Sequence, residues 1–166
     1  MMENTRPMSF EEILARDGYL VYKTRGVSMR PMLRQNRDLV IIEPPKTAPV
    51  KYDAVLYRRG DATVLHRVIK RSGDIYLIRG DNTFSLEHVP ADNIFGILTG
   101  FVRRKKGGND GHNDKENRIT SVNSRGYRFY VRFWCAIYPL RAVYAAVRRF
   151  GGKVKRKILG LFGRKK

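Results

Sequence analysis

Three short segments carry side chains whose chemistries fit together. Gly26-Val27-Ser28-Met29-Arg30-Pro31 offers a hydroxyl, His66-Arg67-Val68-Ile69 an imidazole, and Gly80-Asp81-Asn82 a carboxylate. A serine hydroxyl attacks a carbonyl only when a neighbouring base takes its proton, and a histidine base works best when an acid orients it. Ser28 sits two residues after a glycine that permits a sharp turn, and it precedes Met29 and Pro31, whose bulk and fixed φ hold the loop. Taken alone, an ordinary turn serine is the simpler account of Ser28. Likewise, a core histidine bonded to a carbonyl is the simpler account of His66. In an alternating strand, however, His66 shares a face with Val64 and Val68, and such desolvation favours the neutral imidazole that a general base requires. Lys70 is a second candidate base on the same face. Asp81 is the candidate acid that orients His66, and Glu87 is the alternative. The set points to a serine peptidase; no single member does.

These residues need a scaffold that holds them, and the pattern around them is mainly β. Ser9 followed by Glu12 reads as a capping box, opening a short helix that stops near Gly18, so that residues 1–18 form a helical brace. Residues 19–103 then break into short β-rich runs: Tyr19–Thr24, Asp38–Ile42, Ala54–Arg58, Thr63–Lys70, Ile75–Arg79 and Ile94–Val102. Arg59-Gly60-Asp61 and Ser72-Gly73-Asp74 read as tight connections between successive strands. Residues 104–124, rich in Gly, Asn and Asp, bury too little apolar area to offset the entropy of ordering and read as a flexible linker. Residues 125–166 form a basic aromatic tail that reads as helical.

Charge follows the same division. The 166 residues carry a formal charge of +19 with a hydrophobic share of 42%, enough for one modest core and an appendage. Residues 1–102 are nearly balanced, with 15 Lys+Arg against 12 Asp+Glu, whereas residues 125–166 hold 13 Lys+Arg and no acid. The tail therefore seeks an anionic partner. Phe129, Tyr130, Phe133, Trp134, Tyr138 and Tyr144 suit the headgroup level of a membrane, and the Arg and Lys residues from Arg148 to Lys157 suit anionic lipid. Nucleic acid is the weaker expectation, because nothing in the tail reads bases. Arg132, Pro139 and Arg141 interrupt the apolar run, which favours lying on the membrane over a single C-terminal span. Met1 to Asp17 holds no apolar run long enough for a secretory leader. One cysteine, Cys135, forms no internal disulfide, and three scattered histidines give no metal-ligand spacing, so no cofactor is expected.

Taken in order, Gly-x-Ser-Met-x-Pro, a strand bearing His-Arg-Val-Ile, and Gly-Asp-Asn resemble the type I signal peptidases and their LexA-like relatives over roughly Tyr19 to Arg103. Asp38-Leu39-Val40 and Asp53-Ala54-Val55 are similar to that family's strand starts, with Arg37 and Tyr52 in place of glycines. The resemblance implies a β-rich catalytic domain. It also implies the histidine-base, endoplasmic-reticulum-type variant: Ser28 as nucleophile, His66 as general base and later acid, and Asp81 as third member. The implied substrate is a precursor protein that loses a leader or signal segment, with small residues before the cut. Two departures stand out. Many relatives carry a serine at the position of Gly26 that helps to hold the oxyanion, and the family's usual N-terminal span is missing ahead of the β domain. A LexA-like self-cleaving regulator is disfavoured, because only about two dozen residues precede Ser28, too few for a DNA-binding domain. The competing function is a catalytically silent binding module.

Overall fold

The capping box forms as the sequence requires. In a computed structural model that describes residues 7–103 and 119–149, Ser9 Oγ accepts from the Glu12 N–H at 3.2 Å, and the Glu12 carboxylate accepts from the Ser9 N–H at 2.7 Å. They open helix α1, Phe10–Asp17, which Gly18 ends in the left-handed region at φ 75°, its N–H donating to Leu14 O. The helix buries Leu14 against the sheet that follows.

Eight strands make one antiparallel sheet, so the protein is mainly β. They are β1 Leu20–Lys23, β2 Leu39–Glu43, β3 Ala54–Arg59, β4 Ala62–Ser72, β5 Ile75–Arg79, β6 Glu87–Pro90, β7 Ile94–Val102 and β8 Ile119–Ser121. The spatial order is β1-β2-β7-β3-β4-β5-β6, with β8 also on β7. Side chains alternate between two cores. Ala54, Leu56 and Leu65 enter one with Leu14, Val40, Ile42 and Phe101; Val55, Tyr57 and Val68 enter the other with Tyr76, Ile78 and Val89. Because both faces of mid-β4 are covered, the whole run Leu65-His66-Arg67-Val68 is buried. Polar side chains in that run must find partners inside the protein.

Arg67 finds four. Its guanidinium meets Asp81 in a fork, Nε to Oδ1 and Nη2 to Oδ2, both at 2.7 Å, with both side chains almost wholly buried. It also donates to Tyr52 O at 2.7 Å and to Tyr127 Oη at 3.2 Å, and Nη2 lies 3.0 Å from Met32 Sδ. Burial works against the charge, but the facing carboxylate outweighs it and holds the Arg67 pKa above its ordinary value. One side chain thus ties β4 to the loop after β5, the segment before β3, the loop after β1 and the helix that follows β8.

Two strands lie outside the runs expected from sequence. Glu87–Pro90 becomes β6 by pairing with β5 in the register Ile78↔Glu87 and Tyr76↔Val89; its charge, imidazole and proline hide the alternation. Ile119–Ser121 pairs with β7, so the expected linker 104–124 is corrected at its C-terminal end, while residues 104–118 lie outside the described residues. The expected tail is also corrected. The chain divides into two compact units at Val131/Arg132. Helix α2, Arg125–Ala136, starts in the first unit, where Tyr127 and Tyr130 pack against a core and Val131 is buried. Tyr130 is therefore a packing residue and not a headgroup residue. The second unit contains the end of α2 and helix α3, residues 138–149; residues 150–166, with the expected lipid-binding lysines, lie outside the described residues. No helix among the described residues is long and apolar enough to cross a membrane.

The Arg67–Asp81 pair makes a stability prediction. Asp81→Ala leaves a buried guanidinium uncompensated and should lower the unfolding free energy by about 3–5 kcal/mol in urea denaturation. The double variant Arg67→Met/Asp81→Leu, which removes both charges, should recover most of that loss.

Candidate active site

Ser28 lies in the loop that leaves β1, and the sequence around it explains why the loop is rigid. Gly26 takes φ 81°, a conformation that side-chain-bearing residues resist, and turns the chain. Met29, Met32 and Leu33 then bury in the first core and pin the loop there. Thr24, just upstream, is buried and donates from its hydroxyl to Arg34 O at 3.0 Å, closing the loop's base. Ser28 itself is half-buried.

The base is brought to the serine by a missing side chain. β4 pairs with β5 in the register Arg67↔Arg79, which, continued by one residue, sets Gly80 beside His66. A Cβ on Gly80 would stand 3.0 Å from His66 Nε2, 3.0 Å from Ser28 Cβ and 2.8 Å from Ser28 O. Ser28 Cβ and His66 Nε2 are thus no farther apart than twice that distance, and both border the space that a side chain on Gly80 would fill. The next residues complete the clamp: the Asn82 N–H donates to Ser28 O at 2.7 Å, and Asn82 Nδ2 donates to Val27 O at 3.3 Å. Among the described residues, neither Oγ nor N–H of Ser28 has a hydrogen-bonding partner, so both remain available for a ligand.

The other imidazole nitrogen meets Glu87. Nδ1 is 3.2 Å from Glu87 Oε1 and 3.1 Å from Tyr57 Oη, while the Tyr57 hydroxyl donates to Glu87 Oε2 at 3.0 Å. Having given its proton to Glu87, Tyr57 can only accept from Nδ1, and an ionised carboxylate also only accepts. Both neighbours therefore place the proton on Nδ1 and leave the lone pair on Nε2, the atom that faces Gly80 and Ser28. Burial lowers the His66 pKa below its ordinary value; Glu87 opposes this shift and Arg59 adds to it. The shift favours the neutral imidazole, the form that can accept a proton. Burial and the adjacent Glu87 push the Tyr57 hydroxyl well above the usual phenol range, so it stays a donor.

The expected members are thereby sorted by geometry. Ser28 and His66 are brought together, and Glu87, the alternative third member, takes the position on Nδ1. Asp81 is engaged through both oxygens by Arg67, one residue along β4 and on the opposite face of the strand. Lys70, the second candidate base, is exposed beyond the buried stretch of β4. Tyr57 and Gly80 were not singled out by sequence reasoning. Tyr57 has no signal short of the β3–β4 register, and Gly80 is marked only by its place before Asp81.

Ser28, His66 and Glu87 open on a cavity of about 930 Å³ whose walls include Tyr22 to Gly26 on one side and Thr63 to Leu65 on the other. The latter wall is the first half of β4. Residues 62–67 pair with β3, but β5 pairs only from Arg67 onward, so residues 62–66 have no strand partner on the cavity side among the described residues. No group of side chains among the described residues suits a metal ion. No family model matches the chain, and no curated protein is similar to it.

Gly80→Ala should force Ser28 and His66 apart, because the Ser28 carbonyl that the new Cβ would meet at 2.8 Å is backbone and cannot swing aside, a displacement that shifted His66 ring resonances would report by NMR. The His66 ring resonances should titrate below about pH 6.5 by NMR, and further below in Glu87→Gln, which removes the charge that favours the imidazolium. Since the folded-state pKa is depressed, the stability that this site contributes is complete above about pH 6.5 and is lost as pH falls through the folded value.

Proposed function

We propose that the chain is a serine endopeptidase in which Ser28 is the nucleophile, His66 the general base and Glu87 the residue that orients it. The observation that carries this reading is that His66 Nε2 and Ser28 Cβ both border the place where a Gly80 side chain would stand, with Nδ1 beside two acceptors. Ser28 Oγ would attack the scissile carbonyl carbon as Nε2 takes its proton, forming a tetrahedral intermediate. That intermediate collapses to an acyl-enzyme when the imidazolium gives the proton to the leaving amine. Water, activated by the same nitrogen, then releases the acid. Arg67 holds Asp81, and through it the Gly80 loop, so Asp81 serves as a positioning residue.

The substrate class that suits this cavity is an extended peptide. The open edge at residues 62–66 presents backbone donors and acceptors that a bound strand would satisfy, and the scissile bond would then lie at the His66 end. The resemblance to type I signal peptidases supports a leader or signal segment of a precursor protein as that peptide. Gly26 limits the oxyanion site. Its φ of 81° suits glycine and not the serine found there in many relatives, so the Ser28 N–H carries that stabilisation without a hydroxyl from position 26.

Cleavage of a precursor should fall on the order of 10³-fold or more in Ser28→Ala and in His66→Ala. Glu87→Gln should also lower kcat, because an amide can donate to Nδ1 and so move the ring proton to Nε2. In the wild type, kcat/KM should rise with pH along a limb centred below about pH 6.5, as expected for a histidine whose pKa burial has lowered. Undiminished cleavage in Ser28→Ala would sink the mechanism and leave the cavity as a peptide-binding groove.

A further inference from the structure

Helix α3 is amphipathic in the reverse of the usual sense. Leu140, Val143, Tyr144 and Val147 follow the i, i+3, i+4, i+7 spacing and so occupy an arc of about 100° on the helix. In a helix of a soluble domain that stripe faces the core. Here it faces outward: Leu140 is 72% exposed, Val143 63%, Tyr144 68% and Val147 64%. The half-buried positions on the opposite side are Tyr138 at the start of the helix and then the small residues Ala142, Ala145 and Ala146. Four bulky apolar side chains stand on the surface while three of the four residues opposite them are alanines, which costs stability unless something apolar covers the stripe.

The charge beside the stripe identifies what covers it. From Arg132 to Arg149 there are four arginines and no acidic residue, and Arg148 and Arg149 follow Val147 directly, both exposed. A second copy of this helix would bring like charges together as its stripe was buried. An anionic lipid surface satisfies both features at once: acyl chains take the four apolar side chains, and phosphates take Arg148 and Arg149. We propose that α3 lies in the plane of an anionic membrane, inserted by Leu140, Val143, Tyr144 and Val147, with Arg148 and Arg149 on the headgroups.

This reading changes the set of contacting residues. Trp134, whose indole suits a headgroup layer, lies beneath the Arg141 guanidinium at 3.7 Å from the ring centroid, so both side chains serve the unit's own packing. The proposal stands apart from the peptidase reading, since it uses no residue of the cavity.

The test is sedimentation of the full chain with vesicles of phosphatidylcholine alone or with added phosphatidylglycerol. Wild type and Ser28→Ala should bind the anionic vesicles equally. Arg148→Gln/Arg149→Gln should weaken binding about thirtyfold at low salt, the loss expected for two near-surface charges, and the difference should shrink as salt is raised. Leu140→Ser/Val143→Ser/Val147→Ser should weaken it at least tenfold at every salt concentration, with an unchanged far-ultraviolet circular dichroism spectrum showing that the helix persists. Val143→Ser alone, milder on folding, should give a smaller loss in the same direction. Equal binding by the triple variant and wild type would overturn the proposal. So would analytical ultracentrifugation showing a wild-type dimer that the triple variant loses, which would assign the stripe to a second copy. A third overturning result is single-stranded nucleic acid displacing the wild type from vesicles while the triple variant still binds that nucleic acid fully.

Discussion

The buried fork between Arg67 and Asp81 is the interaction on which the remaining structure depends. A guanidinium in the middle of β4, with both faces of the strand covered, has no access to water and must be met by a carboxylate and by carbonyl or hydroxyl acceptors. Meeting that demand draws the loop after β5, the segment before β3, the loop that carries Ser28 and the start of α2 onto one point. Neither Arg67 nor Asp81 touches the reacting atoms in the proposed reaction. Together they decide where Gly80 lies, and the place of Gly80 decides whether serine and histidine can meet.

Adjacent residues of β4 thus do opposite work. Arg67 points into the first core and fixes the architecture; His66 points to the other face, toward Tyr57 and Glu87, and is the base of the proposed reaction. The period of two along a strand makes this division possible, since neighbouring side chains occupy separate environments. The same register that ends β5 at Arg79 frees the edge of β4 at residues 62–66, so the gap that admits the serine and the edge suited to a peptide share one cause.

The second unit follows a different logic. The apolar stripe of α3 is exposed, and residues 132–166 carry basic side chains and no acidic one. The proposed inserted stripe is assembled by helical periodicity alone.

Local patterns made much of the fold legible. The Ser9–Glu12 box, the alternating runs that became β1 to β5 and β7, and the turns at Gly60 and Gly73 are short-range devices whose energetics are complete within a few residues. Ser28 and His66 were legible for the same reason: each sits in a segment that declares its own conformation. What the sequence could not determine is which carboxylate serves Arg67 and which serves His66. Asp81 stands in the more conspicuous motif, but Arg67 engages both of its oxygens, while Glu87 reaches His66 from a strand that exists only because β5 offers it an edge. Tyr57, Gly80 and the packing of Tyr130 escaped for the same reason. Their roles arise between segments distant in the chain, where register, burial and competition for buried charge are settled together by the tertiary structure.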